Sequence, residues 1–119
     1  MEKLEMERLK ELIRSIPDFP EKGVMFRDIT TALKDKQGLH AIIDDFTNRY
    51  TDKGIDYVLG ADARGFIFGA AIAYNIGAGF VPARKIGKLP GETARVEYDL
   101  EYGTNTIEVH NDAFEKGAN

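Results

Sequence analysis

Residues 57 to 83 constrain the fold most tightly. The short apolar run Tyr57-Val58-Leu59-Gly60-Ala61, with its β-branched member, reads as a strand buried on both faces. The turn Asp62-Ala63-Arg64-Gly65 follows, and then an alanine-rich, almost uncharged stretch that suits a helix packed on a sheet and stopped by Gly77. Gly79 to Ala83 is a second short apolar run. Strand, helix and strand in this order predict a βαβ unit with a right-handed crossover, and so an α/β fold with parallel strands.

The flanks add elements to this centre. Leu9, Leu12, Ile13 and Ile16 recur at helical spacing among charged residues, predicting an amphipathic helix that runs to Ile16 and stops before Pro17 and Pro20. The stretch VMFRDIT from Val24 to Thr30 is apolar and short and fits neither period. Ile42, Ile43, Phe46 and Tyr50 mark a second helix, with Asp35 as its cap and Gly54 past its end. From Arg95 the pattern changes to strict alternation: Val96, Tyr98, Leu100 and Tyr102 on one face, Arg95, Glu97, Asp99 and Glu101 on the other. A turn at Gly103-Thr104-Asn105 before Ile107 and Val109 makes a hairpin of this region. The final NDAFEKGAN reads as a turn. No repeat, low-complexity tract or linker divides the chain, so residues 1 to 119 are expected to form a single domain.

Composition narrows the function classes. Without cysteine, disulfide scaffolds, thiolate zinc sites and thiol nucleophiles are excluded. His40 and His110 stand far apart with no second ligand at useful spacing, so they read as surface or packing residues and no metal site is expected from the side chains. A net charge of −4 argues against a nucleic-acid surface. No apolar run approaches the roughly 20 residues of a membrane span, and the default reading is cytoplasmic.

Four constellations carry chemistry. The turn Gly60 to Gly65 places amides, Arg64 and the positive end of a helix where an anion would be held, with Gly65 allowing close backbone approach; an ordinary turn with Asp62 capping the helix explains the same residues. The segment from Ala83 to Ala94 holds Arg84, Lys85 and Lys88 against the single acid Glu92, either a ligand loop past a strand end or a solvated surface loop. Glu101, beside Tyr102 at the end of the alternating strand, is a proton acceptor or one more charge on a wet face. Phe26, between Met25 and Arg27, reads by itself as core. Neither a phosphate-binding P-loop nor a dinucleotide fingerprint occurs.

Taken together, IPDFPEKGVMFRDIT at 16 to 30, ADARGFIFG at 61 to 69, ARKIGKLPGET at 83 to 93 and YDLEYGT at 98 to 104 resemble the adenine phosphoribosyltransferases, a type I phosphoribosyltransferase family, in order and spacing. The resemblance implies an α/β core of parallel-sheet type with an N-terminal helix and a β-hairpin flexible loop. It implies purine salvage: transfer of the phosphoribosyl group of phosphoribosyl pyrophosphate to N9 of adenine, giving AMP and pyrophosphate with Mg2+ present, in a homodimer. Arg64, Asp62, Ala63 and Gly65 match the pyrophosphate loop, and Arg84, Lys85 and Lys88 match the basic segment. The main chain at Met25 and Arg27 matches the groups that face the adenine edge, and Phe26 the ring that stacks on it. Glu101 and Tyr102 match the covering loop, with Glu101 as general base. Ala63 stands where many relatives have serine. The family continues past the position of Asn119 into a hydrophobic strand beside Tyr57 to Ala61, two adjacent acids and a Thr/Gly-rich loop for the ribose phosphate. The core is therefore expected to be incomplete, and these residues by themselves inactive. A non-catalytic purine- or nucleotide-sensing protein and an inactive gene fragment are the alternatives.

Overall fold

The computed structural model describes residues 1–119, which divide into two compact units, Met1–Phe46 and Thr47–Asn119. In the first unit, α1 (Lys3–Leu12) buries Leu9 and is shorter than its periodicity predicts. Ile13 is already extended (φ −86°, ψ 116°), and β1 (Arg14–Ile16) pairs antiparallel with β2 (Phe26–Asp28), Arg14 opposite Asp28 and Ile16 opposite Phe26. Strand pairing across the proline loop thus claims the last apolar residue assigned to the helix, a case of tertiary contact overriding local preference.

Two helices follow. The short α2 (Thr30–Lys34) was not legible in the sequence, whereas α3 (Lys36–Tyr50) begins where Asp35 predicts. The Asp35 carboxylate accepts from the Gly38 amide at 2.7 Å and from Arg8 at 2.9 Å. These bonds, the Gly38 amide first, hold its pKa below the ordinary carboxylate range. Gly38 is required here, since a Cβ would lie 2.6 Å from the Ala32 carbonyl oxygen.

The second unit contains the βαβ element as expected: β3 (Tyr57–Ala61), α4 (Arg64–Ile76) ended by left-handed Gly77, and β4 (Gly79–Lys85) parallel to β3. Beyond them, β5 (Thr93–Leu100) and β6 (Gly103–His110) form a hairpin, and the sheet order is β3-β4-β6-β5. The sheet is therefore mixed, parallel only between β3 and β4. Ile72 and Ala73 of α4 and Val81 and Ala83 of β4 are buried. Three sequence expectations change. β3 is an edge strand and is not buried on both faces, with Leu59 49% exposed. β4 extends two residues further than its apolar run. The hairpin turn falls on Glu101 and Tyr102, because Leu100 pairs with Gly103 and β6 begins at that glycine. The last residues are a turn, as read; Phe114 meets Tyr57 edge-on and the Asn119 carbonyl accepts from the amides of Asp56 and Tyr57 at 2.7 and 3.2 Å.

Candidate functional site

The turn from β3 into α4 is built by close backbone approach. A Cβ on Gly60 would come within 2.4 Å of the Gly65 carbonyl oxygen, and one on Gly65 within 3.1 Å of the Gly60 carbonyl carbon. Gly65 thus permits approach of helix to strand, a packing reason that exists without any ligand. On the next turn of α4, Gly69 leaves room for the Phe80 ring, which would stand 2.6 Å from a Cβ. The Asp62–Ala63 peptide is cis. Ala63 is the N-cap and no side chain caps α4, so the reading of Asp62 as a helix cap is not what the structure shows. Its carboxylate instead accepts from Nε of Arg84 at 3.4 Å. The first amides of a 13-residue helix and the Arg64 side chain therefore stand at an end with partial positive charge and no carboxylate cap.

Arg84 and Lys85 are not in a loop, as the sequence reading had them; they form the end of β4, opposite Glu108 and Ile107 of β6. Arg84 also lies over the Phe66 ring, 5.9 Å from its centre. Lys85 is exposed, and so is Lys88, whose amide donates to the Lys85 carbonyl within the connection from 86 to 92. Gly87 and Gly91 there adopt φ of 83° and 80°, which only glycine takes readily. Glu101 and Tyr102 form the two-residue hairpin turn rather than the end of the strand, and both are exposed. They lie between the strands and so do not occupy opposite faces of one.

In the first unit, Phe26 lies on β2 with its ring edge-on to Phe19, centroids 5.1 Å apart, beside the exposed Met25. Arg27 donates to the hydroxyl of Ser15, which ties β2 to β1 from the outer side. At the end of β2 the buried Asp28 accepts from the Thr30 amide at 2.9 Å, from the Thr30 hydroxyl at 2.7 Å and from Arg14. The Thr30 bonds, assisted by Arg14, outweigh burial and hold its pKa below the ordinary value.

Asp28 and Glu108 are the two buried charged residues, and neither was marked as a site residue in the sequence. Asp28 carries a local signal, an acid two residues before a threonine at a helix start. Glu108 carries none, since a polar residue between Ile107 and Val109 reads as the solvent side of a strand. No cluster of three His, Asp or Glu residues is arranged to hold a metal ion. No helix is long and apolar enough to cross a membrane.

Comparison with known proteins places this geometry. No family model matches the sequence. An adenine phosphoribosyltransferase of Acidobacterium capsulatum is 59% identical over 111 residues, 93% of this chain and 61% of the relative. The solved adenine phosphoribosyltransferase of Rhodothermus marinus superposes with a TM-score of 0.88 at 45% identity, covering 98% of this chain and 66% of that one. That of Saccharomyces cerevisiae, solved with adenine and an imino-alditol bisphosphate, gives a TM-score of 0.85 at 34% identity over 97% of this chain and 68% of its own. The chain spans about three fifths of the length of the curated relatives it matches, 61 to 66%.

Proposed function

The chain belongs to the adenine phosphoribosyltransferase family, and from that premise we propose that the protein carrying it moves the 5-phosphoribosyl group of phosphoribosyl pyrophosphate onto adenine in purine salvage. The bond from C1′ to the pyrophosphate oxygen breaks with its electrons going to pyrophosphate. The bond from C1′ to N9 of adenine forms, and the N9 proton leaves to a base. The observation that carries this reading is the β3–α4 turn, where a helix start without a side-chain cap and Arg64 offer fixed positive charge to the oxygens on which negative charge grows.

In this reading Asp62, Ala63 and Gly65 shape that turn while Arg84, Lys85 and Lys88 supply further positive charge on the pyrophosphate side. Phe26 stacks on the base, and the main chain of Met25 and Arg27 meets its amino group and N1, a pattern that sets acceptor against acceptor for a 6-oxo purine. Glu101 takes the imidazole proton and Tyr102 closes beside it; their place in an exposed hairpin turn suits a covering loop. Mg2+ would enter with the substrate's phosphates, and the working form is a cytoplasmic homodimer in which residues 1–119 belong to one domain.

The test is a fusion of these 119 residues to the remaining length of a curated relative. It is expected to form AMP from adenine and phosphoribosyl pyrophosphate, and no nucleotide from hypoxanthine. A cooperatively melting fusion that makes no AMP contradicts the reading.

A further inference from the structure

Glu108 is the one large side chain that the fold buries completely, 2% exposed, and the reaction described above gives it no task. A carboxylate is costly to remove from water unless charge and hydrogen bonds are returned to it. Its oxygen Oε1 takes Arg95 Nε at 2.7 Å and the Thr93 hydroxyl at 3.3 Å, both from β5. On its other side β6 pairs with β4, and the residue directly opposite Glu108 is Arg84. Directly paired residues of neighbouring strands share a face at about 5 Å between Cβ atoms, so Arg84, Glu108 and Arg95 form one row across three strands. Arg84 continues the row to Asp62, whose own amide donates to the Ala83 carbonyl at 2.9 Å. The row reads acid, base, acid, base: Asp62, Arg84, Glu108, Arg95.

This row touches both pieces assigned to pyrophosphate. Asp62 belongs to the β3–α4 turn. The connection that carries Lys88 leaves the sheet after Lys85 and returns at Thr93, and β6 together with the residue that follows it holds both of its ends. The Ile86 amide donates to the Thr106 carbonyl at 3.0 Å, and the Asn111 amide to the Glu92 carbonyl at 3.1 Å. Glu108 stands between these fastenings, with Thr93 on one side and Arg84 on the other. We propose that Glu108 is a positioning residue for pyrophosphate binding, fixing Arg84 against the β3–α4 turn and setting where the Lys88 connection leaves and rejoins the sheet.

The inference rests on the pyrophosphate assignment of the preceding section and deepens it. Arg84 then stands between two carboxylates, bonded to Asp62 and opposite Glu108 in the strand register, and its charge is offered to an anion in the orientation those neighbours favour. The row lies outside the first unit that holds Phe26 and at the opposite end of the β5–β6 hairpin from Glu101 and Tyr102, so its effect is expected on the anion and not on the base.

The test is calorimetric titration of the protein with inorganic pyrophosphate and, separately, with adenine. Glu108→Gln keeps the shape and removes the charge; Thr93→Val removes one contact and keeps the charge. Glu108→Gln is expected to weaken pyrophosphate about tenfold and Thr93→Val a few-fold, with adenine affinity within about twofold in both. If Glu108→Gln does not fold, Thr93→Val decides alone. Pyrophosphate affinity unchanged in the folded variants, or adenine and pyrophosphate weakened equally, overturns the inference and leaves the function reading standing. Absence of pyrophosphate binding by the parent protein overturns the function reading and this inference with it.

Discussion

The two buried carboxylates are satisfied in opposite ways. Asp28, in the first unit, finds two of its partners on Thr30, two residues along the chain, and adds Arg14 from the neighbouring strand. Glu108, in the second, has only side chains from β5, Thr93 and Arg95, fifteen and thirteen positions away. Asp28 thus closes a local turn, and its partners form whenever β2 and α2 meet at Thr30. Glu108 is compensated only when β5 and β6 are in register. A local partner set makes a robust joint, whereas a dispersed one makes a charge that reports on the register of the hairpin.

The largest expected effect tests the dispersed set. Arg95→Met strands a carboxylate that is 2% exposed, and unfolding stability is expected to fall by about 3 kcal/mol, the low end for breaking a buried pair because Arg95 is itself largely exposed. A loss too small to measure by denaturant titration would show that Arg84 alone compensates Glu108. Next is Gly60→Ala, which tests whether the second unit depends as closely on backbone contact. The new Cβ would meet Gly65 backbone atoms at 2.4 and 2.8 Å, so a cost of about 2 kcal/mol is expected from overpacking. Equal melting temperatures for variant and parent would remove that dependence.

These positions also show what the sequence could disclose. The βαβ element was legible because its signals are local: apolar runs of strand length, an uncharged alanine-rich helix and Gly77 to stop it. Asp35 was legible as a cap for the same reason. β1 was not, because its three residues pair only with partners ten to fourteen positions away and otherwise continue a helical pattern. The hairpin was found by alternation, but its turn was placed on Gly103-Thr104-Asn105, where the residue chemistry favours a turn. The register that pairs Leu100 with Gly103 moved it to Glu101 and Tyr102. Of the candidate site, the β3–α4 turn and its basic neighbours are marked in the sequence only through the family resemblance. The ties that hold them, Asp62 to Arg84 and Arg95 to Glu108, depend on strand neighbours that composition and spacing do not identify.

Two smaller effects address the first unit. Phe26→Ala is expected to weaken adenine binding by about 1–2 kcal/mol through lost stacking while leaving pyrophosphate affinity unchanged. Calorimetry showing both ligands weakened together would break the division of labour between the units. Asp28→Asn is expected to lower the melting temperature less than Arg95→Met does, since the Thr30 bonds survive the loss of charge. Because the folded pKa of Asp28 lies below its ordinary value, the stability it contributes is fully present above about pH 4 and is lost as pH falls through the lowered value. The gap between parent and Asp28→Asn should hold steady from neutral pH to about pH 4 and narrow below it. A gap that widened on acidification would reverse the sign assigned to the Thr30 and Arg14 interactions.

Recognition of adenine by the region around Phe26 is the point on which the functional account turns, and parallel calorimetric titrations with adenine and hypoxanthine test it most directly. The account predicts that adenine binds and that hypoxanthine, whose 6-oxo group and N1 proton invert the pattern met by Met25 and Arg27, binds at least tenfold more weakly. Equal affinity for the two bases would contradict it.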